Sequence, residues 1–277
     1  MTANQKIAVV TGSSSGIGYE ISLILARNNF TTYATMRNLQ KSSYLKSIAE
    51  EEKLPLHFVQ LDVTDENSTR NAIEKIHDES GRIDVLVNNA GYGLAGALED
   101  LSIEEIKAQY ETNVFGLVRT TQAVLPIMRK QKSGMVVNIS SGVGRFGIPA
   151  SSAYVSTKFA VEGLSESMSY EIEPFGIKTV IIEPGVIKTN FLNSMKLAKK
   201  SQDSNSPYIQ LMKGVEGGMK KMMENGSTPE FVAKVVLDAI TNNNPKLRYL
   251  AGNDVEQWIE AKKKMSDEDF INMIKQM

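Results

Sequence analysis

The sequence contains no cysteine. That excludes disulfides, a thiol nucleophile and thiolate metal sites. Histidine is scarce: only His57 and His77 occur, twenty residues apart and outside any HExxH-like arrangement. No metal site is expected from such a set. No charge of one sign dominates, since the formal net charge is -1 and no basic block stands out. Nucleic acid and anionic membrane surfaces are therefore poor partners. Long apolar runs are missing too. The first, Ile7 to Val10, is too short for the core of a signal peptide. None approaches the roughly 18–20 residues of a membrane span, so a cytoplasmic location is the expectation. Internal repeats and low-complexity linkers are also absent.

What is there is a chain of 277 residues, 42% hydrophobic and 23% charged, the composition of a globular protein with a sizeable core. Short apolar runs alternate with helical patterns. Strands are expected over 6–10, 31–36, 56–61, 84–87, 135–139, 177–182 and 248–251. Helices are expected over 17–28, 42–52, 65–79 (with Asp65 as N-cap), 103–130, 153–173 and 229–241. Regular alternation of this kind implies a parallel sheet covered on both faces. Continuously apolar strands such as Ile7 to Val10 fit burial on both sides. The expected fold is α/β: one doubly wound, Rossmann-type domain over 1–277 with about seven strands.

Two stretches carry chemistry. The first strand runs into Thr11-Gly12-Ser13-Ser14-Ser15-Gly16-Ile17-Gly18 and then a helix. Glycines there let the backbone approach a pyrophosphate lying on the positive helix N-terminus. Further on, Tyr154 and Lys158 stand four apart, so a helix places them on one face. A cation beside a phenol favours the phenolate, and the Tyr154 pKa is expected to fall from about 10. A tyrosine so tuned can exchange a proton with an alcohol or carbonyl oxygen.

Together with Asn88-Asn89-Ala90-Gly91, Asn113, Ser141 and Pro184-Gly185, these motifs resemble the short-chain dehydrogenase/reductase family. The likeness runs from about Lys6 to Phe191, and Ser141 lies 13 residues before Tyr154, as the family requires. Ser140 is its neighbour, not the serine the resemblance selects. The resemblance implies roles. Tyr154 is the acid in reduction and the base in oxidation. Lys158 lowers its pKa and bonds the nicotinamide ribose. Ser141 holds the substrate oxygen, and Asn113 interrupts its helix to hold a relay water. Gly12, Ser14, Ser15, Gly16, Ile17 and Gly18 form the phosphate loop, and Asn89, Ala90 and Gly91 lie beside it. Asp62 and Val63 meet the adenine. Pro184 and Gly185 belong to the cofactor site, and Ile187 and Thr189 orient the carboxamide.

The second strand ends in neutral Met36 followed by Arg37. NAD-preferring relatives carry an acid at this strand end, whereas a guanidinium can grip a 2′-phosphate. NADP(H) is therefore the expected cofactor. The stretch 190–226 holds the place of a variable substrate lid. It is rich in Phe191, Leu192, Met195, Leu197, Tyr208, Ile209, Leu211, Met212, Met219, Met222 and Met223, and is interrupted by Gly214, Gly217 and Gly218. A movable lid over a hydrophobic ketone, aldehyde or alcohol is one reading, and ordinary helix packing is the other. Gly142 and Ala153 are expected to leave space beside the tyrosine, with Phe146 as a wall. A helical tail over 253–277, marked by Val255, Trp258, Ile259, Phe270, Met273 and Ile274, resembles the steroid- and retinol-type branch. It could equally be a surface helix or an oligomer contact. The long helices around Asn113 and Tyr154 are the family's usual dimer faces, which implies a homodimer or homotetramer. A 3-oxoacyl-thioester reductase is the alternative enzyme, and a non-catalytic NADP(H)-sensing regulator the alternative outside enzymes.

Overall fold

The structure is a computed structural model and describes residues 5–189 and 195–276. Seven parallel strands form the central sheet in the order β3-β2-β1-β4-β6-β7-β9. They are β1 (Ile7–Thr11), β2 (Thr31–Met36), β3 (Leu56–Gln60), β4 (Val85–Asn88), β6 (Gly134–Ile139), β7 (Ile177–Pro184) and β9 (Arg248–Ala251). A second, two-stranded parallel ladder joins β5 (Leu94–Ala95) to β8 (Lys196–Leu197).

Residues alternate between the two faces of the sheet, and both faces are covered. From β1, Ala8 and Val10 pack with Ile21 and Leu25 of α1 (Gly16–Arg27) and with Val232 and Val236 of α8 (Pro229–Thr241). Ile7 and Val9 point the other way. They pack with Ile73 and Ile76 of α3 (Glu66–Ser80), Val124 and Met128 of α5 (Gly116–Gln131) and Ile172 of α6 (Ser152–Ile172). Strands buried on both faces must be apolar throughout, which is why these runs are continuous in the sequence. A third cluster closes the outer edge, where Leu45 of α2 (Ser43–Glu51) meets Ala34 and Leu56. Asp65 caps α3 as expected, accepting from Ser68 N at 2.7 Å.

Two stretches depart from the expected elements. The single helix over 103–130 is broken: α4 (Ile103–Tyr110) passes through a π-helical turn, Glu111–Phe115, into α5. Hydrophobic periodicity cannot reveal one extra residue in a turn, but such bulges gather at functional sites. Between the strand expected over 177–182 and the helix expected over 229–241, where no element is expected, the chain forms the 16-residue helix α7 (Ile209–Glu224). Gly214, Gly217 and Gly218 lie inside it, and none of its residues is fully buried. Asn190, Phe191 and Leu192 of the expected lid fall outside the described residues. The tail forms two helices, α9 (Asn253–Lys264) and α10 (Asp267–Lys275), which pack on the body of the domain through Val255, Ile259, Phe270 and Ile274. Among the described residues no helix is long and apolar enough to cross a membrane.

A Cβ added at Gly217 meets no atom within 4 Å. Gly217→Ala should therefore stabilise α7 by about 0.5–1 kcal/mol, seen as slower amide hydrogen exchange along that helix.

Candidate active site

The turn after β1 has little freedom. Gly12 and Gly16 hold φ of +72° and +61°, which side chains rarely tolerate. A Cβ on Gly12 would lie 2.8 Å from Ala90 Cα, and one on Gly18 would lie 2.3 Å from Asn89 Nδ2. Asn89 explains this closeness: its Nδ2 donates to the carbonyls of Thr11 (2.9 Å) and Gly12 (3.1 Å). The Thr11 hydroxyl oxygen accepts in return from the backbone N–H groups of Asn89 (3.0 Å) and Ala90 (3.1 Å). The ends of β1 and β4 are thus stitched together at the sheet's switch point, where doubly wound folds bind their ligands. Ser15, the N-cap of α1, makes no capping bond with its side chain. The first N–H groups of α1 are left for an anion.

From this turn a cavity of about 640 Å³ runs along the C-terminal edge of the sheet. Its wall includes Gly12, Ser14, Ser15, Gly16, Ile17, Arg37, Asp62, Val63, Asn89, Ala90 and Gly91 at one end, and Ser141, Tyr154, Lys158, Pro184, Gly185, Ile187 and Thr189 at the other. The sequence placed all of these in the cofactor or catalytic set, and the fold brings them to one cleft. Two residues of that set do not line the cleft: Asn113, and Gly18, which is packed behind Asn89. The lining suits a dinucleotide: bare glycine backbone and a cation lie toward one end and a polar cluster at the other. Lys41, Thr64, Tyr92 and Lys196 also line it. Sequence reasoning missed these four. Lys41 had a findable signal, since it is a second basic residue only four positions after Arg37 at the end of β2.

At the far end, α6 carries Tyr154 and Lys158 one turn apart. The Lys158 ammonium donates to the Ile139 carbonyl at 2.9 Å and lies 5.7 Å from the centre of the Tyr154 ring. Ser141 hydrogen-bonds the Tyr154 side chain, and its Oγ accepts from Val143 N at 3.3 Å. The expected fall in the Tyr154 pKa is not found. Burial pushes the phenol up to about 12, and the bond from Ser141 offsets only part of that. The reason is desolvation, which penalises phenolate, while Lys158 aims its charge at a carbonyl instead. Lys158 itself is pushed down to about 8 by burial, against an upward pull from Glu162.

Asn113 occupies the π-turn but not the cavity wall. Its Oδ1 accepts from Tyr92 N (3.1 Å), and its Nδ2 donates to Tyr92 O (3.0 Å) and Thr157 Oγ1 (3.3 Å). It therefore fixes the backbone just beyond Asn89-Ala90-Gly91. The Tyr92 ring carries the Lys196 ammonium 4.6 Å from its centre.

A second cavity, of about 480 Å³, opens from Ser141 and Tyr154. Phe146 and Trp258 wall one side, and Met195, Leu211, Met219, Met222 and Met223 the other. Phe146 stands where the sequence suggested. Gly142 does not leave open space, because a Cβ there would meet Val255 Cγ2 at 2.3 Å. Ala153 turns away and packs with Leu94, Leu101 and Ala198. Tyr208 also faces elsewhere, its hydroxyl bonded to Glu99 at 2.7 Å. The two cavities share Ser141, Tyr154, Pro184, Gly185 and Ile187.

A doubly wound sheet with a dinucleotide-shaped cleft and a Ser–Tyr–Lys cluster at its end defines a class of nucleotide-dependent oxidoreductases. Residues 6–200 match the model of the short chain dehydrogenase family, and the chain belongs to that family. It is 39% identical to the uncharacterized oxidoreductase YusZ of Bacillus subtilis (strain 168), covering 91% of each chain. It is 36% identical to a 3-ketodihydrosphingosine reductase of Bacteroides thetaiotaomicron, over 89% of this chain and 88% of the relative. Human 17-beta-hydroxysteroid dehydrogenase type 1 is 35% identical, over 88% of this chain and 76% of the relative. That likeness agrees with the steroid- and retinol-type resemblance. Among solved structures, a short-chain dehydrogenase from Streptomyces avermitilis superposes with a TM-score of 0.84 at 32% identity, over 95% and 93% of the two chains. ElxO with NADP bound superposes at 0.75 with 31% identity, over 90% and 97%.

The Lys158 amine should titrate near pH 8 in the cofactor-free protein. Glu162→Gln removes a negative charge that raises this value, so the midpoint should move to lower pH, as checked by NMR titration of the side-chain nitrogen.

Proposed function

We propose that this protein is an NADP(H)-dependent oxidoreductase acting on a hydrophobic ketone or aldehyde, or on the matching alcohol. The observation that carries this reading is the junction of the two cavities at Ser141 and Tyr154. When bound, the cofactor supplies or accepts a hydride there. The chain's own residues do the rest. With its pKa raised, Tyr154 stays protonated at neutral pH and can give its proton to a carbonyl oxygen in reduction. Ser141 donates a second hydrogen bond to that oxygen and stabilises charge as it develops. Lys158, with a pKa near 8, replenishes the proton and can bond the ribose. Asn113 acts on this set by holding the Tyr92 backbone and Thr157.

Arg37, exposed at the end of β2 and lining the cleft, suits a 2′-phosphate, with Lys41 beside it. The likeness to ElxO with NADP bound supports the same choice. Asp62 and Val63 flank the adenine side. Ile187 and Thr189, which line the other end of the cleft, would hold the carboxamide. Helix α7 serves as the lid: its methionines form an adaptable apolar wall, and its glycines lower the cost of moving it. The relatives named for sphingoid and steroid substrates support an apolar substrate. Phe115, Phe159 and Leu164 are exposed at the π-turn and on α6, which supports a homodimer or homotetramer through those faces.

Tyr154→Phe should lower turnover by roughly 10²–10⁴-fold while NADPH binding, followed by fluorescence, is retained. A substrate panel of bulky ketones, aldehydes and an acetoacetyl thioester completes the test. Turnover of the thioester alone would replace the hydrophobic-carbonyl reading, and retained turnover in the variant would sink the role of Tyr154. Arg37→Ala should erase a preference for NADPH over NADH of about 10- to 150-fold, the range of a charge-assisted hydrogen bond, in parallel titrations with the two cofactors.

A further inference from the structure

In the first turn of α9 Asn253 and Glu256 face solvent, but Asp254 and Val255 turn inward. These two are wedged behind both loops of the proposed reaction centre. Asp254 Oδ2 accepts from the backbone N–H of Val186 at 2.6 Å. Its Oδ1 sits where a side chain on Gly185 would go, since a Cβ there would lie 2.1 Å away. Gly252 is held at φ +144°, and a Cβ on it would lie 2.5 Å from the same oxygen. Gly185 N donates to Ala251 O at 3.1 Å, and Val186 O accepts from Ser227 N at 2.9 Å. The Pro184–Ile187 backbone is therefore held at three successive peptide groups, by Ala251, Asp254 and Ser227. The next residue, Val255, is fully buried and fills the space beside Gly142. Gly142 directly follows Ser141.

An acid in the first turn of a helix needs no special explanation, because it complements the helix dipole. That role asks only for a carboxylate near the N-terminus. It does not ask the carboxylate to accept an N–H from a loop 68 residues earlier in the chain, or to require glycine at two neighbouring positions.

We infer that Asp254 is a positioning residue for the reaction. It fixes the Gly185–Val186 peptide, and through it Pro184 and Ile187, at the end of the cleft where the nicotinamide would lie. Val255 steadies the Ser141 loop from the same turn. The tail is then part of the reaction centre rather than a surface or oligomer appendage. This inference rests on the proposed function, because it assigns Asp254 to one half of the same cofactor cleft. It also makes a directional statement. Loss of Asp254 should disturb the Gly185 end and leave the Gly12–Arg37 end untouched.

The test uses the full chain with Asp254→Ala and Asp254→Asn, titrated with NADPH and with ADP-ribose 2′-phosphate, which lacks the nicotinamide. Asp254→Ala should weaken NADPH by about tenfold or more, the range for a lost bond to a charged acceptor, while the fragment binds as in the parent. Turnover per bound cofactor should fall with it. Asp254→Asn keeps an oxygen that can accept from Val186 N–H and should recover most of the loss. A merely structural role would lower the unfolding temperature without changing the ratio of the two affinities. If Asp254→Ala does not fold, Asp254→Ser is read for the same ratio. An unchanged ratio in the folded variant, or equal weakening of cofactor and fragment, overturns the inference. If the parent protein binds neither ligand, the cofactor reading itself fails and this inference falls with it. Binding of both by the parent with an unchanged ratio in the variant condemns the inference alone.

Discussion

An ammonium group cannot leave water without partners, and Lys158 is only 9% exposed. Much of the surrounding structure answers that constraint. The last carbonyl of β6 meets the amine, and Glu162 stands one turn further along α6. Glu162 is itself buried and needs a cation, which Arg248 of β9 supplies at 2.9 Å. Arg248 also pairs with Glu166. On β7, Glu183 is buried as well, and its pKa is raised by burial and by the nearness of Glu162. Arg145, at 3.0 Å, offsets this from the loop after Ser141. Lys158, Glu162, Arg248 and Glu166 thus alternate in sign, while Glu183, near Glu162, is paired by Arg145. Buried pairs of this kind contribute little net stability, but removing one partner strands the other at a cost of roughly 3–5 kcal/mol. Their effect is to fix where β6, α6, β7 and β9 sit relative to one another.

Parallel pairing does the remaining assembly. Because all seven strands run the same way, every C-terminal strand end reaches one edge. Gly12 follows β1, Arg37 follows β2, Asp62 follows β3, Asn89 follows β4, Ser141 follows β6, Gly185 follows β7 and Asp254 follows β9. No loop has to travel far to deliver its residue. Beneath that edge, Asn88 and Asn138 bond each other at 2.9 Å and reach Thr121 and Ser165 on the covering helices. These buried amides are satisfied, as they must be, and they hold α5 and α6 to the sheet below the reaction centre.

The sequence was most legible where chemistry and local geometry coincide. Apolar runs mark the strands, and the helix expected over 229–241 has those bounds in the structure, where Thr228 caps it by accepting from Phe231 N. The glycine turn and the Tyr–Lys spacing pointed to the cleft. What could not be read depends on burial or on contacts remote in sequence. The Tyr154 pKa moves upward because the fold dries the phenol, and no spacing rule contains that fact. The π-turn at Asn113 hides in a continuous apolar periodicity, and only the family resemblance points to an interruption there. Helix α7 was obscured by its glycines and by its lack of a buried face. Asp254 looked like any acid at a helix start, because its partner lies on another strand's loop.

The walls of the substrate cavity differ in how much change they can absorb. Helix α7 forms one wall and has no fully buried residue, so replacing its side chains leaves the core untouched. The opposite side is fixed, since Gly142 and Gly185 have no room for even a methyl group. Divergence between copies of this fold can therefore run through α7 alone. A lineage can exchange one apolar compound for another by single steps there, none of which endangers folding or the bond-making centre.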